Sequence, residues 1–116
     1  MHAVSRLVLH PAITNIQTSW VKMGPAGAAI CLNAGANDLG GTLMNESISR
    51  AAGTEHGQEF PPAEMEALIR SIGRTPQQRD TLYRPVAEER RAASFVAEEL
   101  APVVMTPPRK RRIAVA

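Results

Sequence analysis

Two blocks constrain this chain more than anything else in it: Asn15-Ile16-Gln17-Thr18-Ser19-Trp20-Val21-Lys22-Met23-Gly24-Pro25 and Gly35-Ala36-Asn37-Asp38-Leu39-Gly40-Gly41-Thr42. From Ile13 to Met23 the β-branched content is high and the two parities separate. Asn15, Gln17 and Ser19 fall on one face of a strand, and Ile16, Thr18 and Trp20 on the other. An amide-rich face opposite an apolar one suits a barrel strand lining a polar cavity, and a solvent-facing strand shows the same alternation. Gly24 ends the strand, and Pro25 suits the first position of a helix. That helix is expected from Ala26 to Ala34, with Gly35 supplying the left-handed residue after its end. Ala26, Gly27, Ala28 and Ala29 are small enough to let it lie against a sheet. The second block reads as a strand running into a glycine-rich turn. Ile13 to Leu39 is long enough for one parallel crossover, which needs about a dozen connecting residues and takes the right-handed sense. The pattern predicts one βαβ unit.

The flanks are helical. Ala3 to Leu9 reads as the end of a helix broken at His10-Pro11, because a residue before proline avoids the α region. Leu43 to Ala52 is expected to form a short helix, and Gly53 to Gly57 a loop. A further helix starts at Pro61-Pro62, carries Glu64 and Glu66 in its first turn, and aligns Met65, Leu68, Ile69 and Ile72 before Gly73 stops it. Arg74 to Arg84 is a connector, with Pro76 opening a turn. Val86 to Leu100 is expected to be helical, with a charged outer side, and the proline-rich, basic end beyond Ala101 to be disordered. No internal repeat is present. A parallel two-stranded sheet standing alone exposes its edges, so either an upstream polypeptide or a second copy is expected to complete it.

A chain of 116 residues has room for one domain. Its aromatics are only Trp20, Phe60, Tyr83 and Phe95, so the core must lean on aliphatic residues and alanine. The net charge of +2 comes mostly from Arg109-Lys110-Arg111-Arg112. Elsewhere acids and bases nearly balance, which argues against a nucleic-acid-binding face; the basic run is read as a solvated tail rather than a phosphate-binding arm. Cys31 is the single cysteine, so an intramolecular disulfide and a multi-cysteine metal site are excluded. His2, His10 and His56 follow no metal-ligand spacing. No apolar run approaches the roughly 20 residues that cross a bilayer, and Met1 to Arg6 lack the layout of a signal peptide. A cytoplasmic location without membrane partners is expected.

The turn from Asn37 to Thr42 follows the carboxyl end of a strand, where parallel α/β folds place ligands. Asp38 either accepts hydrogen bonds from a polar substrate or holds the N–H groups of Gly41 and Thr42. Gly40 and Gly41, lacking Cβ atoms, let the backbone approach a ligand. The plainer alternative is a strand-ending turn with an Asx hydrogen bond. Neither a dinucleotide fingerprint nor a phosphate loop is present. An inward Gln17 can offer a uracil or an amino acid both a donor and an acceptor. Trp20 either stacks on an aromatic ring or packs in the core. Glu46, with Asn45 and Ser47, is a candidate where the preceding loop folds over a ligand; with Arg50 it otherwise forms a surface pair. The candidate substrate-binding set is Gln17, Trp20, Asn37, Asp38, Thr42 and Glu46. Cys31 is read as a small packed residue.

The stretch from Thr14 to Gly24, then Asn37 to Arg50, Ala51 to Gln58 and Gly73-Arg74-Thr75-Pro76, closely resembles the C-terminal part of a family of radical S-adenosylmethionine (SAM) enzymes. That family contains the FO synthases of deazaflavin biosynthesis and the futalosine enzymes of menaquinone biosynthesis. The resemblance covers about two thirds of the chain. The segment Leu43 to Gln58 points to the deazaflavin branch, and the futalosine branch is the alternative. The resemblance implies a partial (β/α) TIM-type barrel comprising C-terminal βα units only, over 1–84, which with the βαβ pattern makes the expected fold class α/β. It leaves the tail unassigned, and the residues themselves add a helical extension at 85–100 and a disordered basic tail at 101–116. It implies a transferase that joins a tyrosine-derived hydroxybenzyl group to 5-amino-6-(D-ribitylamino)uracil on the way to coenzyme F420. In that family a 4Fe–4S cluster and SAM generate the radical. The cluster-binding Cys-x-x-x-Cys-x-x-Cys loop is absent here, and three thiolates are needed to hold the cluster. The chain by itself is therefore expected to bind no cluster and to be inactive. Its partner would be an upstream polypeptide carrying the rest of the barrel, and a non-catalytic assembly module is the remaining alternative.

Overall fold

The computed structural model of the chain describes residues 1–42 and 59–98. The short helix expected at 43–52, the loop at 53–57, Glu46 and the basic tail lie outside the described residues. Helix α1 spans His2–Leu9 and stops where the His10-Pro11 pair predicts, with His10 extended at φ −73° and ψ 138°. Arg6 ties α1 down through three contacts. Its Nε donates to Gly35 O at 2.8 Å, one terminal nitrogen donates to Thr14 O at 2.8 Å, and the other to Asn37 Oδ1 at 3.1 Å.

The two blocks do come together in parallel, but strand pairing between them is a single bridge, Gln17 to Asp38. Thr18 N–H donates to Asp38 O at 2.8 Å and Asn37 N–H to Ile16 O at 3.0 Å. The parity reading holds within this short segment: Thr18 and Trp20 are buried and Ile16 packs against the core, whereas Gln17 and Ser19 are exposed. The strand expected to continue to Met23 instead ends at Ser19. Trp20 opens helix α2, Trp20–Asn33, and the N–H groups of Lys22 and Met23 both reach back to Ser19 O. A helical turn places the consecutive side chains Trp20 and Val21 in the core together, 3% and 6% exposed. A strand would send them to opposite faces. Burial therefore overrides the β-propensity of this run.

Helix α2 is broken at Gly24 (φ 68°, ψ 174°), and Pro25 begins its second arm, in agreement with the sequence. The arm ends at Asn33, with Ala34 as its cap residue just ahead of Gly35 (φ 118°). Ala36 N–H donates to Cys31 O at 3.0 Å and Gly35 N–H to Leu32 O at 3.4 Å, the bond pair of a Schellman cap. A side chain at Gly35 would also put its Cβ 2.8 Å from Arg6 Cβ. Glycine is thus required there by both conformation and the close seating of α1.

Helix α3, Pro62–Ser71, is the helix announced by Pro61-Pro62, and it ends in a second Schellman cap. Gly73 N–H donates to Arg70 O and Arg74 N–H to Ile69 O. Helix α4, Glu88–Phe95, is shorter than the 86–100 span expected from composition. Its first turn carries Glu88 and Glu89, as suits a helix N-terminus, and the chain leaves the helical region at Val96.

The core is small. Trp20, Val21, Ala28, Leu32, Ala36 and Leu39 meet Phe60 and Met65, with Ile16, Leu68, Ile69 and Ile72 packed around them. The rings of Trp20 and Phe60 meet edge to face, with centroids 5.4 Å apart. No helix among the described residues is long and apolar enough to cross a membrane.

Candidate functional site

The turn following Asp38 forms one wall of an open cleft of about 1070 Å³. Asn37, Asp38, Gly40, Gly41 and Thr42 lie on that wall, and the segment from Arg74 to Val86 supplies much of the other. Three of the six candidate residues, Asn37, Asp38 and Thr42, are therefore brought to one cavity. Gln17 lies against the back of the same turn, so close to Gly40 (φ 78°) that a Cβ there would be 2.5 Å from Gln17 Nε2. Trp20 lies beneath the turn rather than in the cleft. It is 3% exposed, and its indole N–H donates to Gly41 O at 2.9 Å. Of the two readings open for Trp20, the geometry gives core packing with a polar tether to the glycine turn. Glu46 lies outside the described residues.

Asp38 is saturated by the protein itself. Its Oδ1 accepts the Gly40 N–H at 2.7 Å, closing an Asx turn. Its Oδ2 accepts Arg79 Nε at 2.7 Å and also pairs with a terminal nitrogen of the same guanidinium. The carboxylate is only 8% exposed and the guanidinium side chain 30%. The sequence pointed to Gly41 and Thr42 as the N–H donors; the donor is Gly40, one residue nearer. Asn37 is equally committed. Its Oδ1 accepts the Ile16 N–H at 2.8 Å as well as Arg6, and its amide nitrogen donates to Asn15 Oδ1 at 3.2 Å and to Thr14 O at 3.4 Å. Both residues hold the turn in shape and so fix where its exposed backbone and Thr42 stand. Thr42 O receives the Phe60 N–H at 3.4 Å, which fixes where the chain resumes after 43–58.

Arg79 and Tyr83 are cleft residues that the sequence did not single out. The Arg79 guanidinium lies 4.3 Å from the centroid of the Tyr83 ring, a cation–π stack. The 79–85 loop is closed by an antiparallel bridge between Arg79 and Pro85 and by the Asp80 carboxylate. That carboxylate accepts the N–H groups of Arg84 and Leu82 and the Arg84 guanidinium. These donors, the Arg84 N–H first, hold the Asp80 carboxyl below its ordinary value. Tyr83 itself sits at φ 61°, an uncommon region for a residue with a side chain. Gln78, on the same wall, donates from Nε2 to Ser94 Oγ at 3.4 Å, and its Oε1 is buried without a partner. An Arg–Asp pair 41 residues apart leaves no local pattern, so no sequence signal could have placed Arg79 at the site.

Cys31 is half-buried on α2 with its Sγ 3.1 Å from Met23 Sδ. One thiolate cannot hold an iron–sulfur cluster, and the described residues bring together no group of three potential metal ligands. The donor set of this chain does not fit a cluster.

Among the described residues the site is thus a glycine turn held by a single parallel bridge, a helix connecting the two bridged segments, and an open cleft beside the turn. The particular family follows from comparison. The model of the CofH/MqnC C-terminal region matches residues 1–91, and the chain belongs to that family. A 5-amino-6-(D-ribitylamino)uracil–L-tyrosine 4-hydroxyphenyl transferase of Methanopyrus kandleri is 57% identical over 86 residues, 74% of this chain and 23% of the relative. An enzyme of the same name in Methanosarcina barkeri is 55% identical over 84 residues, 72% of this chain and 22% of the relative. The FO synthase of Streptomyces coelicolor is 51% identical over 106 residues, 88% of this chain and 12% of the relative. The chain thus spans less than a quarter of the length of these relatives. No solved structure matches it.

Proposed function

We propose that this chain forms one wall of the substrate cavity of an FO synthase-type radical SAM transferase, the rest of whose (β/α) barrel lies in other polypeptide sequence. The reaction so served joins a tyrosine-derived hydroxybenzyl group to 5-amino-6-(D-ribitylamino)uracil, in a cytoplasmic enzyme. The observation that carries this reading is the cleft beside Asn37 to Thr42, in a chain whose family includes transferases named for those two substrates. Radical generation by cluster and SAM would come from the remainder of the enzyme, since the residues here do not fit a cluster.

Within the cleft, the work of these residues is binding and orientation. Asp38 and Asn37 hold the glycine turn rigid, and with the Gly40 N–H and the Gly41 carbonyl already bonded within the protein, the Gly40 carbonyl, the Gly41 N–H and the Thr42 hydroxyl are the polar groups left to a ligand. The Arg79–Tyr83 stack faces them from the opposite wall and offers a planar surface for an aromatic or uracil ring. Glu46 remains a candidate where the chain leaves Thr42.

The test is a replacement. This chain is exchanged for the 106 matching residues of the Streptomyces coelicolor FO synthase, and product is measured from tyrosine and 5-amino-6-(D-ribitylamino)uracil. FO should form at a rate within about tenfold of the parent enzyme, a loss of no more than about 1.4 kcal/mol in transition-state stabilisation. A soluble, cluster-loaded replacement enzyme that makes no FO would sink the proposal.

A further inference from the structure

Helix α1 is amphipathic the wrong way round for a self-contained domain. Its inward side carries His2, Ser5, Arg6 and Leu9, all partly buried, whereas Val4, Leu7 and Val8 point outward at 63%, 81% and 73% exposure. Positions 4, 7 and 8 share one helix face, and an ordinary surface helix turns such a face to the core. The helix cannot roll to bury it. Arg6 pins it through three hydrogen bonds, to Thr14 before α2 and to Gly35 and Asn37 after it, and its Cβ stands where a Gly35 side chain would.

We infer that the Val4–Leu7–Val8 face is a docking surface for an apolar helix or strand of the part of the family's chain outside the C-terminal region, joined to this chain or separate. This rests on the functional reading above and names the surface through which the wall joins the barrel. Two observations select that occupant. The relatives carry more than three quarters of their length outside the matched region, so a large body of chain exists to be packed against it. A second copy is a poorer fit: an eight-residue helix is only about 12 Å long, and one of its faces falls well short of the roughly 800 Å² per partner that a stable dimer buries. The contact must belong to a larger interface.

The experiment co-expresses the full chain, tagged, with Streptomyces coelicolor FO synthase lacking the 106 residues that this chain matches, and measures the soluble complex recovered. The wild-type chain should retain the remainder. The Leu7→Asp/Val8→Asp double variant should lower recovery at least tenfold, while Val96→Asp, on an equally exposed apolar residue, should leave it unchanged. Circular dichroism of the isolated variants should match wild type, because none of the altered side chains is buried. Equal recovery with the double variant would overturn the docking surface and leave the functional reading standing. No complex with the wild-type chain would overturn both. Self-association of the isolated chain that the double variant dissolves would assign the face to a second copy and overturn the inference.

Discussion

The half of the molecule around α1 and α2 and the half around α3 and α4 are held together by different forces. In the first, six of the eight core residues found among the described residues come from Trp20 to Leu39, and the long-range polar side chains, Arg6, Asn37 and Trp20, bond largely to backbone groups. In the second, Phe60 and Met65 are the described residues fully in the core, and the two helices are joined by charge. Glu66 accepts Arg91 at 2.8 Å and Arg70 at 2.7 Å, and Arg91 also reaches Glu88 at 3.3 Å and covers the Phe95 ring. Burial and backbone bonding are nearly indifferent to pH and salt, whereas partly exposed ion pairs respond to both. The cleft lies where these two kinds of construction meet, and the Asp38–Arg79 pair is the seam.

Truncating the first half should have the largest effect. Trp20→Ala removes an indole from a well-packed site and leaves Gly41 O without its donor. A loss of about 3–5 kcal/mol is expected, read as a fall in the urea midpoint. The same change at Phe95, 40% exposed, should cost under about 1 kcal/mol. Equal losses at the two sites would erase the distinction between the halves.

Cutting the seam should come next. Arg79→Ala leaves a carboxylate that is 8% exposed without its cation. The cost should be about 2–3 kcal/mol, below the 3–5 of a fully buried pair because Arg79 still meets solvent. Amide exchange at Gly40 should quicken, since the Asx turn depends on where that carboxylate points. Arg79→Lys should restore only part of the loss, as an ammonium cannot reproduce the two-donor grip.

Acid should produce the smallest effect, confined to the second half. The Arg91 hydrogen bond foremost, then Arg70, holds the Glu66 carboxyl below its ordinary value of 4.5. A carboxyl so lowered contributes stability that is fully present above about pH 4.5 and is lost as the pH falls through its lower folded value. Exchange protection across α3 and α4 should therefore weaken below pH 4.5 before that around α2, and Glu66→Gln should remove that pH dependence. Simultaneous loss in both halves would show that the ion pairs are not local to the second.

What the sequence made legible was local chemistry. The break at His10-Pro11, the helix start at Pro25, the glycine caps at Gly35 and Gly73, and the stripe Met65, Leu68, Ile69 and Ile72 all follow from short-range rules, and they stand in the structure. Trp20 was misplaced because tryptophan and valine favour strands in general, whereas here both need the same core. The candidate turn was visible as a glycine-rich strand end, yet the groups that set its geometry were not. Arg6 and Arg79 lie 31 and 41 residues from the side chains they hold, Asn37 and Asp38. An arginine in a helix and another in a connector look like solvated charges until the chain is folded.

One contact ties the two helix ends together. Arg74, the residue after the Gly73 cap, sends its guanidinium 3.0 Å to the carbonyl of Ala36, the residue after the Gly35 cap. The chain leaving the carboxyl end of α2 is thus fastened to the chain leaving that of α3, whose Ile69 carbonyl takes the Arg74 backbone N–H. Each connector is thereby metered: one added residue after either glycine would swing the guanidinium away from its carbonyl and tilt one wall of the cleft against the other. The lengths of these two short links, as much as the identity of the residues in them, are part of what the molecule must preserve.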